Sequence, residues 1–131
     1  MDQQTFFLTL EQVLVIHEDQ VDRYGGSHGL RDLNLLESAI MRPQSSFGGK
    51  DLYPTIFDKA GALWHSLALN HPFIDGNKRT ATASVLVFLE LNGLKLKVSQ
   101  KALVKAALDV ESKNLTLEEI AQWLKNNSKR A

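Results

Sequence analysis

The chain has 131 residues, and its 15 basic and 15 acidic side chains leave no formal net charge at neutral pH. That length allows one domain with a buried core, and the balanced charge argues against direct binding of nucleic acid, which usually requires a basic excess. The sequence has no cysteine, which excludes disulfides, thiolate metal sites and cysteine nucleophiles.

Neither a secretory signal nor a membrane span is visible in the sequence. Residues 1–4 lack the basic and apolar regions of a signal peptide. The longest apolar stretch, residues 85–91, contains Glu90 and is too short to cross a bilayer. We therefore expect a cytoplasmic protein with no membrane partner.

Helix signals follow one another through the first third of the chain. Thr9 forms a capping-box pattern with Gln12, and the glycines at 25–26 end the first predicted helix. Asp32 caps a second, short helix, which Pro43 stops. Two helices joined by a glycine-rich turn are therefore expected before residue 44.

A loop and a third helix come next. Serine and glycine pairs in residues 44–53 disfavour regular structure and predict an exposed loop or a short hairpin. Pro54 suits the first turn of the third helix, whose apolar residues recur at helical spacing as far as Leu67. That helix is expected to end near Asn70, because the residue before Pro72 is pushed out of the helical region.

The second half of the chain continues the helical pattern. A fourth helix is predicted to start near Asn77, and residues 81–91 are apolar on nearly every side, which is typical of a central core helix. Residues 94–98 alternate in polarity and predict a short extended piece.

Two more helices complete the predicted fold. Ser99 opens the fifth helix, and a capping box of Thr116 with Glu119 opens the sixth. The sequence thus predicts a single compact all-α domain of about six helices over residues 1–131. We expect the fifth helix to bury Leu103, Val104 and Leu108, and the basic end of the chain to be a solvated tail that contains Lys125, Lys129 and Arg130.

Residues 71–80, between the third and fourth helices, carry more charge than a simple connection needs. Lys78 and Arg79 fall in the first turn of a helix, where cations are unfavourable by roughly 0.3–1 kcal/mol each. A bound anion would remove that conflict, because the free N–H groups of a helix start bind phosphate. Gly76 lets the backbone approach such a ligand, and the Asn77 amide and the two cations can donate to phosphate oxygens.

Two further side chains complete a catalytic pattern in this segment. Asp75 supplies a hard carboxylate oxygen, which suits a magnesium ion shared with substrate phosphates. His71 is the natural general base, because histidine ordinarily exchanges protons near neutral pH. Phe73 is expected to point into the core and to lock the loop. The residue types alone leave open that the segment is a plain turn, or that Asp75 is only a helix cap.

The other candidate polar residues are interpreted mainly as structural. His17 is predicted to be a half-buried structural residue of the first helix, and His65 a packed core residue that could instead orient the site. His28 is expected to be exposed in the glycine-rich turn. Arg31 and Asp32 are either a structural cap or neighbours of a nucleotide.

The string HPFIDGNKR, from His71 to Arg79, resembles the signature of the Fic/Doc superfamily, and in particular its death-on-curing (Doc) toxin branch. The usual Fic pattern is HPFx[DE]GNGRxxR. Here Lys78 replaces the second glycine, as in the Doc form, and Thr82 stands at the final arginine position. Residues 24–26, 29–32 and 35–39 also resemble the amino-terminal half of the family.

This resemblance implies a Fic-type fold and a transferase that uses ATP and Mg²⁺. In the Doc branch, the γ-phosphate is transferred to a hydroxyl of elongation factor Tu, which arrests translation, and a Phd-like antitoxin binds as a helix in a groove. The resemblance further implies that residues 44–53 are the flap that aligns the target. The residues that it assigns to the site are His71 as base, Asp75 as magnesium ligand, Gly76 and Asn77 beside the nucleotide, and Lys78 and Arg79 as catalytic phosphate ligands.

Two other functions fit the same residues. The first is a Fic-type AMP-transferase, which the loss of the final arginine at Thr82 disfavours. The second is a non-catalytic module that binds a nucleotide or a partner.

Overall fold

Side-chain caps mark the starts of all the α-helices in residues 4–131 except the fourth. In the computed structural model, which describes residues 4–131, the predicted capping boxes of Thr9 with Gln12 and of Thr116 with Glu119 both form. The side chains of Asp32 and Ser99 also accept hydrogen bonds from backbone N–H groups, as expected. The prediction of an all-α domain with six helices is confirmed. The helices are α1 (Leu10–Tyr24), α2 (Leu33–Met41), α3 (Ile56–Asn70), α4 (Asn77–Leu91), α5 (Gln100–Glu111) and α6 (Leu117–Asn126).

The third helix starts two residues later than the sequence predicted. Pro54 precedes the helix, and Thr55 is its cap. The Thr55 hydroxyl accepts a hydrogen bond from the N–H of Asp58, and the Asp58 carboxylate accepts one from the N–H of Thr55. Reading Pro54 as a first-turn residue was wrong, because this reciprocal pair stabilises a start at Ile56.

Short strands pair in two places within residues 4–131. β1 (Ser46–Phe47) pairs with β2 (Lys50–Asp51), so the segment 44–53 contains a hairpin. β3 (Leu94–Leu96) confirms the predicted extended piece and pairs with β4 (Ser128–Arg130).

The predicted solvated tail is therefore wrong for Lys129 and Arg130. Their backbones pair with Lys95 and Leu94, and both side chains remain exposed. Strand pairing satisfies backbone groups and leaves the basic side chains in water, so polarity alone did not distinguish this strand from a tail. Lys125 is an exposed residue in the last turn of α6.

Helix α3 lies at the centre and packs mainly against α4, α6 and α2. Trp64 of α3 and Phe88 of α4 are both fully buried. On α5 the prediction was wrong for Val104 and Leu108, which are 50% and 46% exposed. The residues of α5 that face the core are instead Ala106, Ala107 and Val110, which lie on the neighbouring face of the helix. None of the helices within residues 4–131 has the combination of length and apolar character that crossing a membrane requires.

Two cations anchor the hairpin segment to α3. Lys59 is 5% exposed, and its ammonium group donates to the Asp51 carboxylate at 3.1 Å and to the carbonyl oxygen of Tyr53. Arg42 donates to the Tyr53 hydroxyl at 2.8 Å and to the Ser66 hydroxyl at 2.8 Å. The end of the predicted flap at residues 51–53 and Arg42, just before its start, are thus fixed to the helix that leads into residues 71–80.

Candidate active site

Residues 71–76 connect α3 to α4 and dock onto the segment before α2. The N–H groups of Arg31 and Asp32 donate to the carbonyl oxygen of Pro72, and the N–H of Ile74 donates to the carbonyl oxygen of Gly29. Leu30 and Phe73 form an isolated antiparallel bridge at the same place. The loop is therefore held by backbone hydrogen bonds along most of its length.

His71 ends α3 in a left-handed conformation, with φ 48° and ψ 55°. The guanidinium group of Arg31 donates to the carbonyl oxygens of His71 at 2.6 Å and of Asn70 at 2.9 Å. These carbonyls lie at the end of α3, where helix carbonyls lack partners within the helix. Arg31 is thus a cap for α3, and Asp32 caps α2. The His71 side chain is exposed.

Phe73 is buried and holds the middle of the loop, as predicted. The imidazole of His17 stacks on its ring, with centroids 3.8 Å apart and an angle of 4° between the planes. The Asn77 amide oxygen accepts a hydrogen bond from the N–H of Phe73, and the amide nitrogen donates to the Phe73 carbonyl oxygen, both at 2.9 Å. One amide hydrogen of Asn77 is still available, and its contact with a phosphate stays a prediction.

The Asp75 carboxylate is exposed and accepts two backbone hydrogen bonds. The N–H of Ser27 donates to Oδ2 at 3.1 Å, and the N–H of Gly76 donates to Oδ1 at 2.8 Å. These two bonds lower the pKa of the Asp75 carboxyl below its usual range, and the positive charge of Arg79 acts in the same direction. Gly76, and not Asp75, is the N-cap of α4, so the reading of Asp75 as a mere cap is wrong.

The start of α4 has no side-chain cap, and Gly76 adopts φ 76° there. The first N–H groups of a helix have no partner inside the helix, and they attract anions. At such a start, the free N–H groups can bind phosphate oxygens, and a divalent cation can bind the nearby carboxylate and the same phosphate.

Lys78 and Arg79, the two cations of the first turn, reach the carboxyl-terminal ends of neighbouring helices. Arg79 donates to the carbonyl oxygen of Gly25, which caps α1, at 2.8 Å. The ammonium group of Lys78 lies 3.4 Å from the carboxylate of Glu111, the last residue of α5. Helix ends of this kind carry negative partial charge, so these contacts offset part of the repulsion between the two cations and the positive start of α4. A bound anion is therefore not the only way to relieve that repulsion.

A groove of about 440 Å³ begins at these cations and runs between α1, α4 and α5. Its walls are mainly apolar, and the half-exposed Val104 belongs to them. The Thr82 hydroxyl, at the position of the family's last arginine, donates to the carbonyl oxygen of Lys78 at 3.0 Å. The side chains that line this groove include Tyr24, Lys78, Arg79, Leu86, Leu103 and Val104.

The side chains of the other two histidines bond partners outside this loop, although His28 lies between Ser27 and Gly29, whose backbones contact it. His65 accepts a hydrogen bond from Arg42 at 2.9 Å in the anchor of the hairpin, and His28 pairs with Asp22 at the surface. Burial and the positive charge of Arg42 lower the pKa of His65. In the described part of the chain, no group of three or more His, Asp or Glu side chains is arranged to hold a metal ion.

The structure brings the predicted residues from His71 to Arg79 into one loop and one helix turn. Sequence reasoning missed the involvement of His17, Ser27 and Glu111. The buried position of His17 had a signal, because it falls on the stripe Val13–His17–Val21 at helical spacing. The contacts of Ser27 and Glu111 depend on how the helices pack, and no local pattern marks them.

Comparison with known proteins gives three matches. The model of the Fic/DOC family matches residues 7–89, which include the whole loop. The toxin Doc of Mycolicibacterium smegmatis (strain ATCC 700084 / mc(2)155) is 51% identical over 73 residues, which cover 56% of this chain and 56% of that protein. The protein kinase doc of Escherichia phage P1 is 33% identical over 86 residues, which cover 66% of this chain and 68% of that protein. The matched regions thus span about half of the first relative and about two thirds of the second.

Proposed function

The chain belongs to the Fic/DOC family, and we propose that it is a Doc-like toxin that transfers the γ-phosphate of ATP to a hydroxyl of a target protein, such as elongation factor Tu, and thereby arrests translation. One observation carries the proposal: the exposed His71 and the ionised Asp75 flank a loop that leads into the uncapped start of α4. The names of the two relatives, toxin Doc and protein kinase doc, support the same function.

The residues of the loop fit a nucleotide with magnesium. Asp75 offers an exposed carboxylate whose lowered pKa keeps it ionised, and one carboxylate together with substrate phosphates is a common way to hold Mg²⁺. Bound there, magnesium would neutralise part of the phosphate charge. The N–H groups at the start of α4 and the side chains of Lys78 and Arg79 supply donors for phosphate oxygens.

His71 acts as the general base in the proposed reaction. The oxygen of the target hydroxyl bonds to the γ-phosphorus, and the bond from that phosphorus to the bridging oxygen of the β-phosphate breaks. ADP leaves with the bridging oxygen, and the hydroxyl proton passes to the imidazole of His71. Because the carbonyl of His71 is fixed by Arg31, the side chain starts from a defined backbone position.

The groove between α1, α4 and α5 is the proposed site of a Phd-like antitoxin. Its apolar walls suit the apolar face of a helix, and Lys78 and Arg79 at one end suit acidic side chains of that helix. A helix bound there would lie against the two proposed phosphate ligands, so it would hinder nucleotide binding. We propose that both proteins meet in the cytoplasm.

Labelled ATP tests the reaction. The protein is incubated with Mg²⁺, elongation factor Tu and ATP that carries the label in either the γ- or the α-phosphate. We expect the target to become labelled only with ATP that carries the label in the γ-phosphate. Intact-mass analysis should find a single added phosphate on the target. Transfer of the α-label with AMP would support the AMP-transferase alternative. Binding of nucleotide without transfer to any cellular protein would support the non-catalytic alternative.

A further inference from the structure

We propose that His17, a residue of α1 outside the loop, is a positioning residue that presents the Asp75 carboxylate to magnesium and nucleotide. This inference rests on the proposed function. Its direct evidence is a hydrogen bond of 2.8 Å between Nε2 of His17 and the backbone carbonyl oxygen of Asp75.

The direction of this hydrogen bond is fixed by its chemistry. A carbonyl oxygen only accepts, so Nε2 of His17 must carry the hydrogen. The imidazole is 4% exposed and stacks face to face on Phe73. Burial and stacking leave the ring little freedom to turn, so the donor stays aimed at the peptide that links Asp75 to Gly76.

The carboxylate end of Asp75 is held by the chain that follows α1. The N–H of Ser27 donates to Oδ2, and a Cβ placed on Gly26 would lie only 2.7 Å from the same oxygen. Gly26 also has φ 110°, which disfavours a side chain. Residues 17–27 therefore hold the carbonyl of Asp75 through His17 and its carboxylate through Ser27.

The loop's own clamp does not replace these contacts. The Asn77 amide bonds only the backbone of Phe73, two residues before Asp75. The N–H of Gly76 contacts the carboxylate, but it belongs to the same peptide that His17 orients. Without the His17 hydrogen bond, the Asp75–Gly76 peptide can rotate. Its own donor, the N–H of Gly76, then shifts, and the carboxylate moves away from the N–H of Ser27.

Two variants of His17 distinguish the effect of its hydrogen bond from the effect of its stacked ring, and a third variant is the control. His17→Phe keeps a ring to stack on Phe73 and removes the hydrogen bond, whereas His17→Gln keeps an N–H donor and loses the ring. His65→Gln, at a histidine of α3 that bonds Arg42, is the matched control.

The first readout is amide hydrogen exchange of Ser27 and Gly76 without any ligand. The second is the affinity for ADP by calorimetry, measured with Mg²⁺ and with a chelator. In His17→Phe we expect faster exchange at both amides and a loss of about twofold to tenfold in affinity with Mg²⁺, the factor that corresponds to one hydrogen bond. The affinity in chelator should not change. His17→Gln should fall between His17→Phe and the wild type, and His65→Gln should match the wild type at neutral pH.

Unchanged exchange and unchanged Mg²⁺-dependent affinity in His17→Phe would overturn the inference. If His17→Phe does not fold, His17→Gln decides: a full loss of the Mg²⁺ effect despite the retained donor would contradict positioning by hydrogen bonding. If wild-type affinity for ADP does not depend on Mg²⁺, the proposed function fails in that respect. The exchange data then decide on His17 alone, because they need no ligand.

Discussion

The ammonium group of Lys78 lies 3.4 Å from the carboxylate of Glu111, so a proposed phosphate ligand is paired with an acidic residue at the end of α5. Both side chains are more than one third exposed, at 43% and 36%. An exposed pair of this kind contributes roughly 0.2–1 kcal/mol, which is small enough for a phosphate to displace the carboxylate. If Lys78 binds phosphate as proposed, the pair would compete with a nucleotide without blocking it.

Glu111→Gln should raise the affinity for ATP with Mg²⁺, by up to about fivefold, because Lys78 no longer has to leave a carboxylate. The gain should shrink at high salt, which screens the pair. Calorimetry at two salt concentrations measures it. The control is Asp109→Asn, which breaks the pair of Asp109 with Lys105 on the same helix. An equal effect of both variants would contradict a specific role for Glu111.

Replacement of His71 tests base catalysis, and asparagine is the suitable substitute. His71 has φ 48°, a conformation that asparagine tolerates and that alanine adopts at a cost of roughly 1–2 kcal/mol. We expect His71→Asn to slow transfer by about 10²–10⁴-fold and to keep the melting temperature and nucleotide affinity. Rates of label transfer and a thermal melt measure both. A variant that transfers phosphate at the wild-type rate would exclude His71 as the base.

Asp75 should contribute to stability in a pH-dependent way even without ligands. Its pKa is lowered in the folded state by the N–H groups of Ser27 and Gly76, so the unfolded chain takes up the proton first on acidification. The stabilisation is present above the ordinary aspartate pKa of about 3.9 and is lost as the pH falls through the lower folded value. Melting temperatures of Asp75→Asn should therefore decline less in this acidic range. Glu37→Gln, at an exposed position of α2, controls for the loss of one carboxylate.

His65 should make the stability of the fold depend on pH in a higher range than Asp75 does. Burial and the charge of Arg42 lower the pKa of His65 in the folded protein. In the unfolded chain, His65 takes up a proton near its ordinary pKa of about 6.5, whereas the folded protein resists protonation at that pH. Stability should thus fall as the pH drops below that value toward the folded pKa. His65→Gln retains an acceptor for Arg42 and cannot titrate, so its melting temperature should change less between about pH 7 and 5. An identical pH profile in wild type and variant would contradict this prediction.

Local chemistry predicted much of the fold and most of the loop. Capping boxes at Thr9 and Thr116 specified helix starts because their partners lie three residues away in sequence. The capping box of Thr55 was overlooked because its partner is an aspartate and a proline precedes it. Val104 was misassigned because α5 has apolar residues in two neighbouring registers, and only packing against other helices decides which register is buried.

Long-range contacts account for what the sequence left undetermined. β4 pairs with a strand more than 30 residues earlier, and its residues are basic on average, so no local pattern indicated a strand. The partners of Lys78 and Arg79 come from α5 and from the end of α1. In the sequence these two cations look unpaired, because their environment follows only from the placement of three helices.

The left-handed backbone at His71 has a consequence for how this chain can change by mutation. Glycine and asparagine occupy that backbone conformation more readily than histidine does, and neither is a base. A single substitution would therefore end the proposed catalysis while the domain still folds and keeps the groove that we propose for an antitoxin. Under the proposed mechanism, a chain with glycine or asparagine at this position would keep its fold and the rest of the loop without a base.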